Sequence, residues 1–324
     1  MELNAKQLKM WAMFGSRATF GTVFTELAKE NDELFIMTAD FTKSCGLLKY
    51  AELYPNRYMS AGIAEQHMIG LASGLASEGY QVFACSFASF IATRCYEQVK
   101  INLGYMQQNV KLVGIAAGLG VSHQGNTHYG LDDVSLMTTI PNMTVIVPAD
   151  CAEVAKATDA LTKMQGPAYL RVIGEGLTPM VYTDDYEFEI GKGICLREGK
   201  DVLIVANGTM VAKSLAAAEQ LAEQGVSAQV INMHTVKPLD TEILREAVQG
   251  KKLVVTAEEG FVHGGLGSAV SEWMSGEGAM PKLVRLGVQN VFPHAGSYEY
   301  LLDACGLSVH KIVERINQSL NNKR

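Results

Sequence analysis

The sequence predicts an α/β chain of two consecutive three-layer domains, each built on a mostly parallel sheet. Three observations carry this expectation. Apolar runs rich in Val and Ile alternate with helical patterns from one end to the other. The runs are continuous rather than alternating in polarity, as parallel strands covered on both faces are. The rhythm breaks once, over 174–193, and then restarts. Before the break, strands are expected at 34–39, 80–86, 110–117, 143–149 and 168–173, with helices near 17–30, 65–78, 90–104 and 150–163. The break itself, "GEGLTPMVYTDDYEFEIGKG", is Gly-rich, acidic and without period, which marks a domain boundary. After it come strands at 201–208, 228–233, 251–260 and 283–287 and helices near 210–224 and 308–320. The expected division is a first domain over 1–178, a linker over 179–192 and a second domain over 193–324.

The bulk properties fit such a chain and exclude several classes of function. At 324 residues, 48% hydrophobic and 19% charged, it is long enough for two domains with a well-buried core. A net charge of −7 without any Lys/Arg block argues against nucleic acid as a partner. No apolar run reaches the length of a membrane span, and "MELNAKQLKMWAMF" lacks the apolar core and cleavage site of a secretory signal. The six cysteines are scattered without a C-x-x-C pair or a His at ligand spacing. Reduced thiols in a cytosolic protein are expected, rather than disulfides or a metal site.

Two glycine clusters, "GLGVSHQG" and "GGLGSAV", begin like G-x-G-x-x-G, but His123 and Val270 stand at the last glycine position. Neither follows the strand-then-acidic-residue layout that a dinucleotide site requires, so tight turns against a packed neighbour are expected. No P-loop is present.

The segment "AGIAEQHMIGLASGLASEGY" (61–80) is more informative. At helical spacing Glu65, Met68, Ile69, Ala72, Leu75 and Ala76 share a face. Gly70, Ser73, Gly74 and Ser77 leave little bulk, so another backbone could approach closely. Two readings of Glu65 stand open: a buried carboxyl with a raised pKa, or an exposed charge favouring the N-terminal dipole of the helix. Beyond it, "CSFASFIATRCYEQV" (85–99) sets Phe87 and Phe90 where a strand passes into a helix, followed by Arg94 and Tyr96. Such aromatics either fill a core or form a slot for a planar ring at the carboxyl end of a parallel strand. "GVSHQGNTHYGLDD" (120–133) adds His123, Gln124 and His128 on a Gly-rich loop.

Together, "AEQH", "FASFIATRCYEQV", "GNTH" followed by "LMTTIPNMTVIVPAD", and "GPAYLR" resemble the pyrimidine-binding domain of transketolase-type thiamine diphosphate enzymes. "DVLIVANGTMV", "VINMHTVKPLD" and "LVVTAEEGFVHGGLGSAV" resemble the C-terminal domain of the same family. The resemblance runs from about residue 11 to 320. It implies thiamine diphosphate as cofactor and two-carbon ketol transfer as the reaction. A Glu at the position of Glu65 then bonds N1′ of the aminopyrimidine ring and favours the imino tautomer that deprotonates thiazolium C2. By the same resemblance Phe90 and Phe87 stack on or enclose the ring, Arg94 helps position it, and His128 acts at the substrate, with Gln124 and Ser44 beside it.

The chain contains no G-D-G followed by Asn, the family's diphosphate and metal motif. The resemblance therefore implies the C-terminal subunit of a split transketolase. Thiamine diphosphate and its Mg²⁺ or Ca²⁺ would be shared with, and the metal held mainly by, an N-terminal subunit carrying that motif, in an α2β2 assembly. Three positions depart from the family: Gln124 replaces an Asp that contacts a sugar hydroxyl, and Ala116 and Gly174 align with a His and an Arg that bind the substrate's terminal phosphate. A substrate other than the usual sugar phosphates is expected, or one whose anionic end is held elsewhere. Two rival readings are the β subunit of a 2-oxo acid dehydrogenase E1 component and a non-catalytic partner subunit.

Overall fold

Two helices open the chain. In α1 (Ala5–Phe14) the Asn4 side chain accepts from Gln7 N–H, while the Gln7 side chain accepts from Asn4 N–H. This reciprocal cap is local polar chemistry that apolar periodicity does not register, and α1 lies outside the predicted elements. Gly15, at φ 81°, turns the chain into α2 (Ser16–Leu27). The computed structural model describes residues 1–173 and 179–321.

The first half continues through β1 (Leu34–Thr38), α3 (Leu48–Leu53), β2 (Tyr58–Ser60), α4 (Glu65–Ser77), β3 (Gln81–Phe87), α5 (Ala88–Thr93) and α6 (Tyr96–Gln98). A π-helical stretch, Val99–Tyr105, leads to β4 (Val110–Ala117), α7 (Asp133–Thr138), β5 (Thr144–Ile146), α8 (Cys151–Lys163) and β6 (Ala168–Ile173). The second half comprises β7 (Ile194–Arg197), β8 (Val202–Ala206), α9 (Met210–Glu223), β9 (Ala228–Asn232), β10 (Thr235–Lys237) and α10 (Thr241–Ala247). It ends with β11 (Leu253–Phe261), α11 (Leu266–Gly276), β12 (Lys282–Val288), α12 (Tyr298–Ala304) and α13 (Val309–Asn321).

These elements make two α/β units with mostly parallel sheets, as expected. The first sheet has the order β10-β5-β6-β4-β3-β1-β2 and the second β12-β11-β8-β9-β7. Every pairing is parallel except β10 on β5 and β7 on β9. All residues of β1, β4, β8 and β9 are buried, which is what a continuous apolar run requires. The single helix expected over 90–104 is instead broken. Cys95 leaves helical geometry (φ −120°, ψ 23°) and its thiol donates to Ile91 O, so Arg94 sits at the break.

The two halves share their packing. β10 leaves the second half to pair with β5 of the first sheet, and Val147 N–H donates to His234 O at 2.7 Å. One apolar cluster joins Met137, Val145 and Val147 to Met233, Val236 and Leu266. A polar seam lies beside it. Buried Glu153 accepts from Ala149 N–H at 2.7 Å, from Asn232 Nδ2 at 2.9 and 3.0 Å, and from the Tyr182 hydroxyl at 3.2 Å. Burial raises its carboxyl from 4.5 to about 7 against those donors. Asp150, which caps α8 and also accepts from Val181 and Tyr182, is raised by burial from 3.8 to about 6.

The sign of the resulting pH dependence follows directly. A carboxyl whose pKa is higher folded than unfolded keeps its proton longer in the folded state. Its stabilisation is complete below 3.8–4.5 and is lost as pH rises through about 6–7. Unfolding free energy is therefore expected to fall between about pH 4 and 7. Glu153→Gln should flatten that fall, because its amide carries no titrating proton. Denaturant midpoints at the two pH values measure this. Identical pH slopes in the two proteins would remove Glu153 as the source.

Candidate active site

A turn through Gly62 (φ 68°) and Ala64 delivers the chain into α4 with Glu65 as its first residue. The side chains of Met68, Ile69 and Ala72 face the core, and Glu65 goes in with them, 3% exposed. The exposed-charge reading is thereby set aside. At the carboxyl end of β3, Ser86 donates its hydroxyl to Glu65 Oε1 at 3.0 Å. Arg94, at the helix break, brings Nη1 to 3.4 Å from both carboxylate oxygens while its side chain stays 46% exposed. The same guanidinium lies over the Phe90 ring, 3.6 Å from its centroid. Burial pushes the neighbouring Cys95 thiol up to about 12, with the charge of Glu65 adding to the shift.

The aromatic residues gather against this ion pair. Phe87 and Phe90 meet edge to face at 5.4 Å, and His128 stands 5.6 Å from Phe87 and 5.2 Å from Phe90. Phe41 closes on Phe87 from the other side at 4.5 Å, a member the sequence reading missed. His128 Nδ1 is 2.9 Å from Thr127 Oγ1, which leaves Nε2 for another partner. Glu65, Phe87, Phe90, Arg94 and His128 thus form one cluster. Gln124 ends a 3-10 turn (Ser122–Gln124) on the His128 loop and is exposed, as is His123. Ser44 lies in the turn that follows Phe41 and is half-buried. Neither Gln124 nor Ser44 hydrogen-bonds to the cluster among the described residues.

Both glycine clusters serve close packing. A Cβ at Gly118 would overlap Glu259 Oε1, and one at Gly265 would overlap Glu258 Oε2. Glu258 accepts from Leu266 and Gly267 N–H at 2.8 Å each, at the start of α11, and burial raises it to about 7. By contrast, nothing lies within 4 Å of a Cβ built on Gly70 or Gly74, so the glycine face of α4 is open on this chain. Ala116, where the family resemblance expects a phosphate-binding His, is fully buried at φ 58°. Gly174 lies outside the described residues.

Known proteins resemble this chain over most of its length. The "Transketolase, pyrimidine binding domain" family matches residues 13–174, and "Transketolase, C-terminal domain" matches 191–312. The chain belongs to the transketolase family. A putative transketolase C-terminal section from Methanocaldococcus jannaschii is 37% identical over 95% of this chain and 97% of its own length. The 6-deoxy-6-sulfo-D-fructose transketolase subunit SqwH of Clostridium sp. (strain MSTE9) is 38% identical over 95% of both chains. A solved split-gene transketolase, an inactive β4 tetramer, superposes with a TM-score of 0.88 at 39% identity, covering 95% of this chain and 99% of its own.

The Phe90 face and the buried Glu65 carboxylate already take one planar N–H group between them, the Arg94 guanidinium, which lies on the ring while reaching the carboxylate. The residues present therefore fit the pyrimidine end of thiamine diphosphate. Being half exposed, Arg94 has room to leave the ring face.

Proposed function

We propose that this chain is the C-terminal subunit of a two-chain, thiamine diphosphate-dependent transketolase. It would transfer a two-carbon ketol unit from a ketose donor to an aldose or aldehyde acceptor. Residues 1–178 would be its pyrimidine-binding domain, 179–192 the linker and 193–324 its C-terminal domain. The observation that carries the reading is the buried Glu65 carboxylate set against the Phe90–Arg94 stack, with His128 on the same aromatic cluster. When bound, the cofactor would supply a stabilised carbanion equivalent for the two-carbon fragment. Glu65 would hold or share a proton at the ring nitrogen, Phe87 and Phe90 would enclose the ring, and Arg94 would position it. His128, with Nε2 free, would hydrogen-bond or exchange a proton with a substrate hydroxyl, beside Gln124 and Ser44.

The partner would be an N-terminal subunit with the G-D-G…N motif, holding the diphosphate and Mg²⁺ or Ca²⁺, in a cytosolic α2β2 assembly. The open Gly70/Gly74 face of α4 and exposed Ile63, 74% accessible just before Glu65, suit a close contact with another chain at this point. That the solved split-gene relative is inactive as a β4 tetramer supports dependence on a second chain. The matched families and the relatives described above are transketolases, so the 2-oxo acid dehydrogenase and non-catalytic readings are not favoured.

The substrate would differ from ordinary sugar phosphates. Ala116 cannot bind an anion, and Gln124 offers an amide where the family places Asp. The Clostridium relative, at 38% identity, is named for a sulfonated ketose rather than a sugar phosphate. Arg17 and Lys43 are candidates to hold such an end. Lys43 adjoins Ser44, α2 packs against that turn at Arg17 and Gly46, and neither cation forms an ion pair among the described residues. Co-expression with the G-D-G…N subunit, then two-carbon transfer assays across phosphorylated, sulfonated and neutral ketoses, tests the proposal. The purified chain alone should turn over little or not at all. Full ketol transfer by the single chain would sink it, and a preference for xylulose 5-phosphate with ordinary affinity would sink the substrate assignment.

A further inference from the structure

The loop that carries Gln124 and His128 belongs to the first half of the chain, yet its base is held from the second. Glu259 of β11 is 2% exposed, and its Oε1 accepts from Leu119 N–H at 2.7 Å. Its main-chain oxygen accepts from Arg171 Nη2 at 2.8 Å, and the same Nη2 donates to Gly130 O at 2.7 Å. Gly118 N–H donates to Gly130 O at 2.9 Å and closes the loop. Only glycine fits at 118, because a side chain there would overlap the Glu259 carboxylate. The carboxylate is fixed in turn by its other oxygen, which accepts from the Tyr298 hydroxyl at 2.5 Å and from Thr209 Oγ1.

Above this base the loop is tied together by its own hydrogen bonds, beginning with Ser122 N–H to Leu119 O at 2.8 Å. His128 N–H donates to Gly125 O at 2.9 Å, and the Tyr129 hydroxyl donates to Ser122 O at 2.5 Å. A shift at Leu119 is therefore carried to His128, whose ring must stay against Phe90. A misplacement on the scale of an ångström is enough to lower a rate substantially. We propose that Glu259 is a positioning residue, through which the second domain sets the place of His128 in the substrate site. The functional part of this inference rests on the substrate role proposed for His128.

Hydrogen exchange on the full chain tests the hold on the loop without any turnover. A hydrogen bond to a charged group is strong, so Glu259→Ala should raise exchange in peptides spanning 117–131 by about tenfold or more. Peptides from α4 and β8 should be unchanged. Glu259→Gln keeps an oxygen for Leu119 N–H and should stay within about threefold of the native chain. In the pair reconstituted with the G-D-G…N subunit, Glu259→Ala should raise the ketose KM and lower kcat, with thiamine diphosphate affinity unchanged and Gln restoring most of the loss. Unchanged exchange over 117–131, a rise spread evenly over both halves, or a Gln variant as impaired as Ala would overturn the positioning role. If the native pair shows no two-carbon transfer, the proposed function fails, while the exchange result still decides whether Glu259 holds the loop.

Discussion

Replacing Glu65 with alanine is expected to lower the cofactor-dependent rate of the reconstituted enzyme by about 10²–10⁴-fold, the range for losing acid–base assistance. That corresponds to about 2.7–5.4 kcal/mol in the barrier. The fold should survive. Arg94 is half exposed and can turn to water, whereas Ser86 is buried and loses its acceptor, which costs about 1–3 kcal/mol. Glu65→Gln separates the two effects. Its amide oxygen can still accept from Ser86, so stability should stay near native, but it cannot hold or share a proton and the rate should remain low. Initial rates with saturating cofactor, alongside denaturant unfolding of each variant, make the comparison. A Gln variant at the native rate would show that Glu65 is structural only.

What the sequence made legible, and what it hid, divides along physical lines. The buried strands were readable because a run such as "VKLVGIAA" admits one environment, a sheet covered on both faces. Glu65, Phe90 and His128 were readable only as a set. Each alone fits a duller role, and their order along the chain was what carried the resemblance. β2, β7 and β10 were missed because they are three or four residues long and lie at sheet edges, where partner and direction are set by tertiary contact. Nothing local in "TVK" says that it crosses from one half to pair with β5. The Glu258–Glu259 pair did leave a signal, two adjacent acids inside the apolar run "LVVTAEEGF". A carboxylate in a buried strand must have donors waiting, but the sequence does not say that one of those of Glu259, Leu119 N–H, lies across the domain seam.

The second large effect is expected at Arg171, a lone cation in the buried strand β6. Asp133 is fully buried, and its Oδ2 accepts from Arg171 Nε at 2.8 Å and from the Tyr169 hydroxyl at 2.6 Å. Burial alone would favour loss of the guanidinium charge, but Asp133 beside it holds Arg171 protonated above its ordinary range. Arg171→Met removes the cation and leaves the Asp133 carboxylate buried with one hydroxyl donor, since Oδ1 has no partner. The carbonyls of Gly130 and Glu259 lose a donor as well. Removing one member of a buried pair costs about 3–5 kcal/mol, most of it the penalty of the stranded charge rather than the attraction lost. The double variant Arg171→Met/Asp133→Leu should therefore be more stable than Arg171→Met alone, although it has fewer polar contacts. Denaturant unfolding of both singles and the double gives the coupling energy. A single-variant loss below about 1 kcal/mol, or a double variant no better than Arg171→Met, would mean that Asp133 is not held as a buried charge. The same cation ties Gly130 to the main chain of Glu259, so the loop bearing His128 should loosen in Arg171→Met and stay loose in the double variant. Stability would then recover without the loop, separating the energetics of the ion pair from its part in holding the site.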